Sequence, residues 1–185
     1  LGLLAVSNFS SSSVSIVDID PRSSRFHEVV AETKTDEGPT AISWQPDGEA
    51  ICVVSREENS LAILSGADFS LMKVASGNIV DPMGLVVTER YLTTGNTSNV
   101  YYAYVLNSTG TIAVFESGPD GTNGIGFNDM IGIVQPVFEY ARAIKMDWTS
   151  GFGGFWISHR DASGVAVVSR CEMTTSPAGQ QPIQQ

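Results

Sequence analysis

Along this chain the apolar positions come in short pulses and form no helical stripe. A four-residue pulse recurs four times: Val14-Ser15-Ile16-Val17, Leu61-Ala62-Ile63-Leu64, Ile112-Ala113-Val114-Phe115 and Val165-Ala166-Val167-Val168. Their first residues lie 47, 51 and 53 positions apart. Each pulse follows a second apolar segment, namely Leu3 to Ser7, Ile51 to Ser55, Tyr101 to Leu106 and Phe155 to Ser158. Those segments end beside Asn8, Arg56, Asn107 and His159, from which the next pulse is six, five, five and six positions away. The segments are rich in Val, Ile and aromatic residues and are bounded by Gly, Pro, Asn, Asp and Ser, which is the pattern of strands. A unit that repeats at two internal points is a structural module, and its length falls in the range of propeller blades and helical arrays.

The second unit predicts four strands. Gly38-Pro39 opens a strand through Trp44, the turn Gln45-Pro46-Asp47-Gly48 reverses it, and Ala50 to Ser55 returns. Proline presets φ early in such a turn and glycine supplies a positive φ late in it, so Pro-Asp-Gly between apolar runs is a hairpin signal with a mechanism. Leu61 to Leu64 and Leu71 to Ala75 complete an antiparallel meander. The third unit uses Asp81 to Val87 and Tyr101 to Leu106, with a longer excursion from Thr88 to Val100 between them. The fourth starts near Ala141 to Met146, behind a Gly-rich insertion from Gly118 to Asn128. The first unit is expected to lack its innermost strand, because no apolar segment is seen ahead of Leu3. The expected fold is all-β: a partial propeller over 1–179 with blades at about 1–36, 37–78, 79–137 and 138–176, then a polar loop or extended tail at 180–185.

Gly38-Pro39-Thr40-Ala41-Ile42-Ser43-Trp44-Gln45-Pro46-Asp47-Gly48, then Ala50-Ile51-Cys52-Val53-Val54-Ser55, with Ser13-Val14-Ser15-Ile16-Val17-Asp18 one unit earlier, resembles the YVTN-type β-propeller repeat. The literal Tyr-Val-Thr-Asn string is absent, as is a terminal Trp-Asp pair. The resemblance implies a fold seen in surface-layer and secreted proteins and related to lactonase-like and amine-dehydrogenase propellers. It also implies a ring that usually has seven blades, so four units are expected to be part of a larger propeller. An open arc would leave strand edges exposed at both ends.

Charge narrows the functions. Ten Lys and Arg stand against 20 Asp and Glu, giving a net charge of −10, and lysine occurs only at Lys34, Lys73 and Lys145. No basic stripe exists to neutralise phosphates, so nucleic acid is not an expected partner. The apolar runs are strand-sized, far below the roughly 20 residues of a membrane helix. Cys52 and Cys171 fall two blades apart without metal-ligand spacing and are read as free thiols. Ser, Thr, Gly and Asn richness with scarce Lys points to an extracytoplasmic protein, and the chain opens on a strand with the look of an internal or processed start. Asn8, Asn96 and Asn107 each head a glycosylation triplet.

In a propeller the turns between second and third strands share one face with the connections into the next blade. The sequence places on that face the binding candidates Arg56, Glu57, Asn107, Arg142, His159, Arg160 and Asp161. A guanidinium offers a planar two-pronged donor to carboxylates, and a histidine can act as acid, base or ligand. The plainer alternatives are a solvated loop at His159 to Asp161, and surface ion pairs of Arg56 and Arg142 with Glu57, Glu58 or Glu139. His27 is read as a solvent-facing residue of an outer strand. No cofactor is expected. Asp120, Asn123 and Asp129 form an oxygen-rich stretch that could hold Ca²⁺, although its spacing is not that of an EF-hand. Trp44, Trp148 and Trp156 are read as blade-packing anchors.

Two functional classes stand. The first is a non-catalytic propeller that binds protein or polymer partners, or the remaining blades of the same ring, at an extracytoplasmic or assembly surface. The second is a lactonase-like or quinone-dependent dehydrogenase-like enzyme with its site at the central channel. A superfold hosts unrelated functions and cannot select between them.

Overall fold

A computed structural model describes residues 2–90, 100–118, 128–134, 137–147, 154–172 and 183–184. The first blade holds β1 (Leu3–Asn8), β2 (Ser13–Asp18) and β3 (Val29–Lys34), paired in that order. The second holds β4 (Pro39–Trp44), β5 (Ala50–Ser55), β6 (Ser60–Ser65) and β7 (Leu71–Ala75). The third holds β8 (Pro82–Val87), β9 (Tyr102–Asn107), β10 (Ile112–Glu116) and β11 (Asp129–Val134). The fourth holds β12 (Ala143–Met146), β13 (Phe155–Arg160), β14 (Ala166–Glu172) and β15 (Ile183–Gln184). All the ladders are antiparallel.

The anticipated hairpin joins β4 to β5. The Gly48 N–H donates to the Gln45 carbonyl at 2.8 Å, and Gly48 sits at φ 81°, a backbone state that its lack of Cβ makes cheap. The pulses are the third strands, with two corrections. The fourth pulse is displaced by one residue, because Val165 is an exposed turn residue and β14 begins at Ala166. The expected polar tail contributes β15, so Ile183–Gln184 lies beside Cys171 and Glu172 as an outer strand.

Successive blades pack face to face, with β4 lying against β1 and β8, and β12 against β8. Because side chains alternate along a strand, each middle blade serves two cores. Ile51 and Val53 of β5 pack with Ala5, Val14 and Ile16 of the first blade. Their neighbours Cys52 and Val54 point the other way and pack with Leu85, Val87, Ala103 and Phe115 of the third. The third blade repeats the device, sending Tyr104, Leu106, Ile112 and Val114 toward Ile144, Met146, Phe155 and Ile157. The Tyr104 and Phe155 rings lie 4.8 Å apart between centroids.

A register shift falls at the same place in three blades, between Ile16 and Val17, Ile63 and Leu64, and Val114 and Phe115. These bulges increase the twist where the third strand meets the outer one.

Candidate functional site

The loop face is built by two sets of turns that meet at each blade. The second-to-third-strand turns each carry a left-handed residue directly before the third strand or its first pair: Ser12, Asn59, Gly110 and Gly164, at φ 50°, 51°, 85° and 81°. The connections into the innermost strands carry another, at Gly38, Asp81 and Tyr140, with φ 71°, 46° and 51°. A side chain at position 110 would be impossible, because a Cβ there would stand 2.0 Å from the Phe138 carbonyl oxygen.

The two sets are tied by hydrogen bonds. At the second blade the Ser55 hydroxyl donates to the Asp36 carbonyl at 3.1 Å, and the Ser60 hydroxyl donates to the Asp36 carboxylate at 2.6 Å. At the third, the Asn107 amide donates to the Asn78 carbonyl at 2.7 Å and to Thr111 Oγ1 at 2.9 Å. Its Oδ1 accepts the Val80 N–H at 3.0 Å. Asn107 is fully buried, so the residue expected to bind a partner instead holds the connection down, and its amide is not open to a glycan in the folded chain. Asn8 acts only within its own hairpin, donating to the hydroxyls of Ser13 and Ser15 on β2. Asn96 lies outside the described residues.

Between the second and third blades the face is electrically closed. Arg56 donates to the Asp81 carboxylate, and the Asp81 N–H is held by the Asn59 side-chain oxygen at 2.6 Å. The Arg56 guanidinium, helped by Ser108, lowers the Asp81 carboxyl below its ordinary value and is itself raised. Glu57 is exposed beside Gly38, its Cγ close to where a Cβ would sit. Two further ion pairs cross the same junction, Lys73 with Asp129 at 2.8 Å and Arg90 with Glu49 at 2.6 Å.

Between the third and fourth blades the face stays open. Ser108, Thr109, Glu139, Tyr140, Ala141 and Arg142 line a depression of about 420 Å³. A second of about 320 Å³ runs from Tyr140 and Arg142 over the fourth blade itself, past Ser158, His159 and Arg160 to Val168 on its exposed face. Arg142, Arg160 and Tyr140 therefore come together. Arg160 places its guanidinium carbon 5.8 Å from the Tyr140 ring centre and donates to the Gly164 carbonyl at 2.6 Å. Among the described residues the Arg142 guanidinium has no hydrogen-bond or ion-pair partner.

His159 is a strand residue of β13. Its ring is within hydrogen-bond distance of the Ser169 hydroxyl at 2.7 Å and the Arg160 carbonyl at 2.8 Å, and it meets Phe138 edge-on at 5.0 Å. Asp161 does not orient it. That carboxylate accepts from the Ser163 hydroxyl and the Ser163 and Val165 N–H groups, with the Ser163 hydroxyl first among the causes that lower its pKa. His27 sits in the turn before β3 at φ 68°, its ring stacked 3.6 Å from Phe26, and not in an outer strand.

Asp120 and Asn123 lie outside the described residues, and Asp129 pairs with Lys73. Among the described residues no group of three His, Cys, Asp or Glu could hold a metal ion, and no helix is long and apolar enough to cross a membrane. Both cysteines are buried and free, and burial pushes the Cys52 thiol up to about 12. Trp44 packs in the first interblade core, Trp148 is not described, and Trp156 lies half-exposed on β13.

With this geometry in hand, comparison with known proteins bears on the fold. The chain matches hydrazine synthase of Kuenenia stuttgartiensis with a TM-score of 0.66 at 18% identity, covering 92% of this chain and 43% of that one. It matches Hsv2 of Kluyveromyces lactis with a TM-score of 0.67 at 13% identity, covering 100% of this chain and 58% of that one. A third neighbour is U3-55K, with a TM-score of 0.55, 9% identity and coverage of 94% and 55%. The chain is a β-propeller arc. It spans about half the length of these neighbours, and identities this low speak to the fold alone. No family model and no curated protein matches the sequence.

Residues that sequence reasoning missed are the partners in the connections. Asp81 and Asp36 lie 25 and 19 positions from the residues they engage, so no local pattern marks them. Tyr140 carries one retrospective signal, since it holds the place that Gly38 and Asp81 hold before their innermost strands.

Proposed function

We propose that this arc belongs to a larger propeller of YVTN type, of about seven blades, that acts as a non-catalytic binding and scaffold module at an extracytoplasmic or assembly surface. The observation that carries the reading is the pair of uncovered apolar faces at the two ends. On the first blade Leu4, Val6 and Val29 are exposed on one face of the sheet. On the fourth, Trp156 and Val168 are exposed on the face opposite the core. Inside the arc the corresponding faces are closed by the neighbouring blade. Contiguous exposed apolar surface on a sheet marks a contact with protein, and here the contact has the form of a further blade.

Cross-linking mass spectrometry on the protein from its natural source tests this. Lys145 lies opposite Trp156 on β12 and next to the uncovered face. It is expected to link to sequence outside these four blades, in the same polypeptide or in another chain. Links confined to these four blades, together with a monomeric mass that Leu4→Glu and Val168→Glu leave unchanged, would overturn the proposal.

A further inference from the structure

We propose that the open groove between the third and fourth blades is a carboxylate-recognition site, in which Arg142 takes an acidic side chain of a bound peptide and Tyr140 packs against the adjoining peptide chain. The inference rests on the reading of this arc as a binding module, but it concerns the loop face, which meets the end face only at Val168.

The first argument is the charge left over. In a chain with net charge −10, cations have carboxylates to spare, and Arg22, Arg25, Arg56, Lys73, Arg90 and Arg170 each have one within 4.0 Å. Arg142 is exposed beside Glu139 in sequence, yet no carboxylate among the described residues engages it. The second is backbone strain. Tyr140 is 64% exposed and stands at φ 51°, where a bulky side chain is disfavoured, and Arg160 lies against its ring. Strain of this kind collects where the surrounding structure must present a side chain in a set place.

The third argument is an internal precedent. At the preceding junction an arginine on the turn, Arg56, meets a carboxylate that the chain itself supplies from the connection, Asp81, fixed through Asn59. At the third-to-fourth junction Ser108 holds the turn position of Arg56 and the arginine, Arg142, comes from the connection; the acid in the lining of the cavity of about 420 Å³, Glu139, forms no ion pair with it among the described residues. The ligand is therefore a group that does what Asp81 does. A single guanidinium matches a carboxylate with two parallel N–H donors. Glu139 on the wall of the groove disfavours a dianion such as phosphate, because its own charge would repel twice as strongly.

The test uses fluorescence anisotropy on the whole protein with a labelled, C-terminally amidated peptide of alternating glutamate and serine, and its glutamine counterpart. The acidic peptide is expected to bind more tightly than the neutral one, with the difference shrinking as salt rises. Arg142→Gln should weaken acidic-peptide binding by about tenfold, within the range of one charge-assisted contact, and Arg142→Lys should restore only part of it. Arg22→Gln, which removes a cation from the hairpin turn after β2, should change nothing. Equal binding of the two peptides, or an Arg142→Gln protein that binds as well as the parent, overturns the site. Inorganic phosphate displacing the acidic peptide more effectively than acetate overturns the carboxylate assignment. The cross-links from Lys145 are read in the parent protein, where their absence would count against the larger ring and not against the Arg142 site.

Discussion

The second and third blades differ from the first and fourth in what their strands do with the two faces of the sheet. In β5 every residue from Ala50 to Ser55 is buried, and in β10 every residue from Ile112 to Glu116. In β1 only Ala5 is buried, and in β13 only Phe155 and Ile157, with Trp156 exposed between them. The same repeat is thus buried on both faces of its strands in the middle of the arc and on one face at its ends, although Leu3 to Val6 and Phe155 to Ile157 are themselves continuous apolar runs. Burial on both faces needs a neighbour on both sides, so the contrast reports position in the arc more than any difference between the units themselves.

The largest effect expected from this contrast is on stability. Phe115 is fully buried in the core between the second and third blades, and Phe115→Ala should cost about 3–5 kcal/mol. Val168 is a third-strand residue of the fourth blade that is 64% exposed, and Val168→Ala should stay within about 0.5 kcal/mol. Urea unfolding of the isolated arc measures both. Comparable losses at the two sites would mean that Val168 is covered in solution, and the division into middle and terminal blades would fall.

A smaller effect separates buried from half-buried clamps. Asn107→Ala removes the bonds of a fully buried amide to the Val80 N–H, the Asn78 carbonyl and Thr111, at a cost of about 1–3 kcal/mol in all. Asn8 is only partly buried and bonds to hydroxyls that can turn to water, so Asn8→Ala should cost about 1 kcal/mol or less. Hydrogen exchange sharpens the comparison. The Val80 amide should lose protection in Asn107→Ala while amides of β5 keep theirs. Protection lost evenly across the arc would show that Asn107 acts on global folding and not on its connection.

These clamps also show where sequence reasoning stops. The strands were legible because Val, Ile and aromatic runs separated by Pro-Asp-Gly or Asn and Ser turns have one cheap conformation, and β4 to β7 fall where the pattern puts them. The turn positions were less so. Ser12, Asn59, Gly110 and Gly164 share a left-handed backbone while having three different side chains, so their equivalence is geometric and invisible to residue matching. The fourth pulse was set one residue early because Val165 is as apolar as the strand that follows it, and only pairing of Ala166 with Arg160 fixes the start. The convergence of Arg142 and Arg160 followed from the expected loop face, but the place of Tyr140 and the role of Asn107 did not. An amide at a strand end reads as surface until the connection that crosses over it is placed.

The smallest effect concerns the two junctions on the loop face and depends on pH. Asp81 has its carboxyl lowered by Arg56, so its contribution to stability is fully present above the unfolded-state value, about 3.9, and is lost as pH falls through the lower folded-state value. Both side chains are well exposed, so the contribution is modest and screened by salt. Asp81→Asn should therefore lower the melting temperature slightly at pH 6, and the gap from the parent should narrow as pH falls below about 3.9. Arg142→Gln should show no such convergence, because no carboxylate among the described residues is tied to it. A gap between parent and Asp81→Asn that stays constant from pH 6 to pH 3 would assign Asp81 a purely geometric role through the Asn59 contact. A pH-dependent gap at Arg142 would mean that this groove already holds a carboxylate of the chain itself, and the difference between the two junctions would vanish.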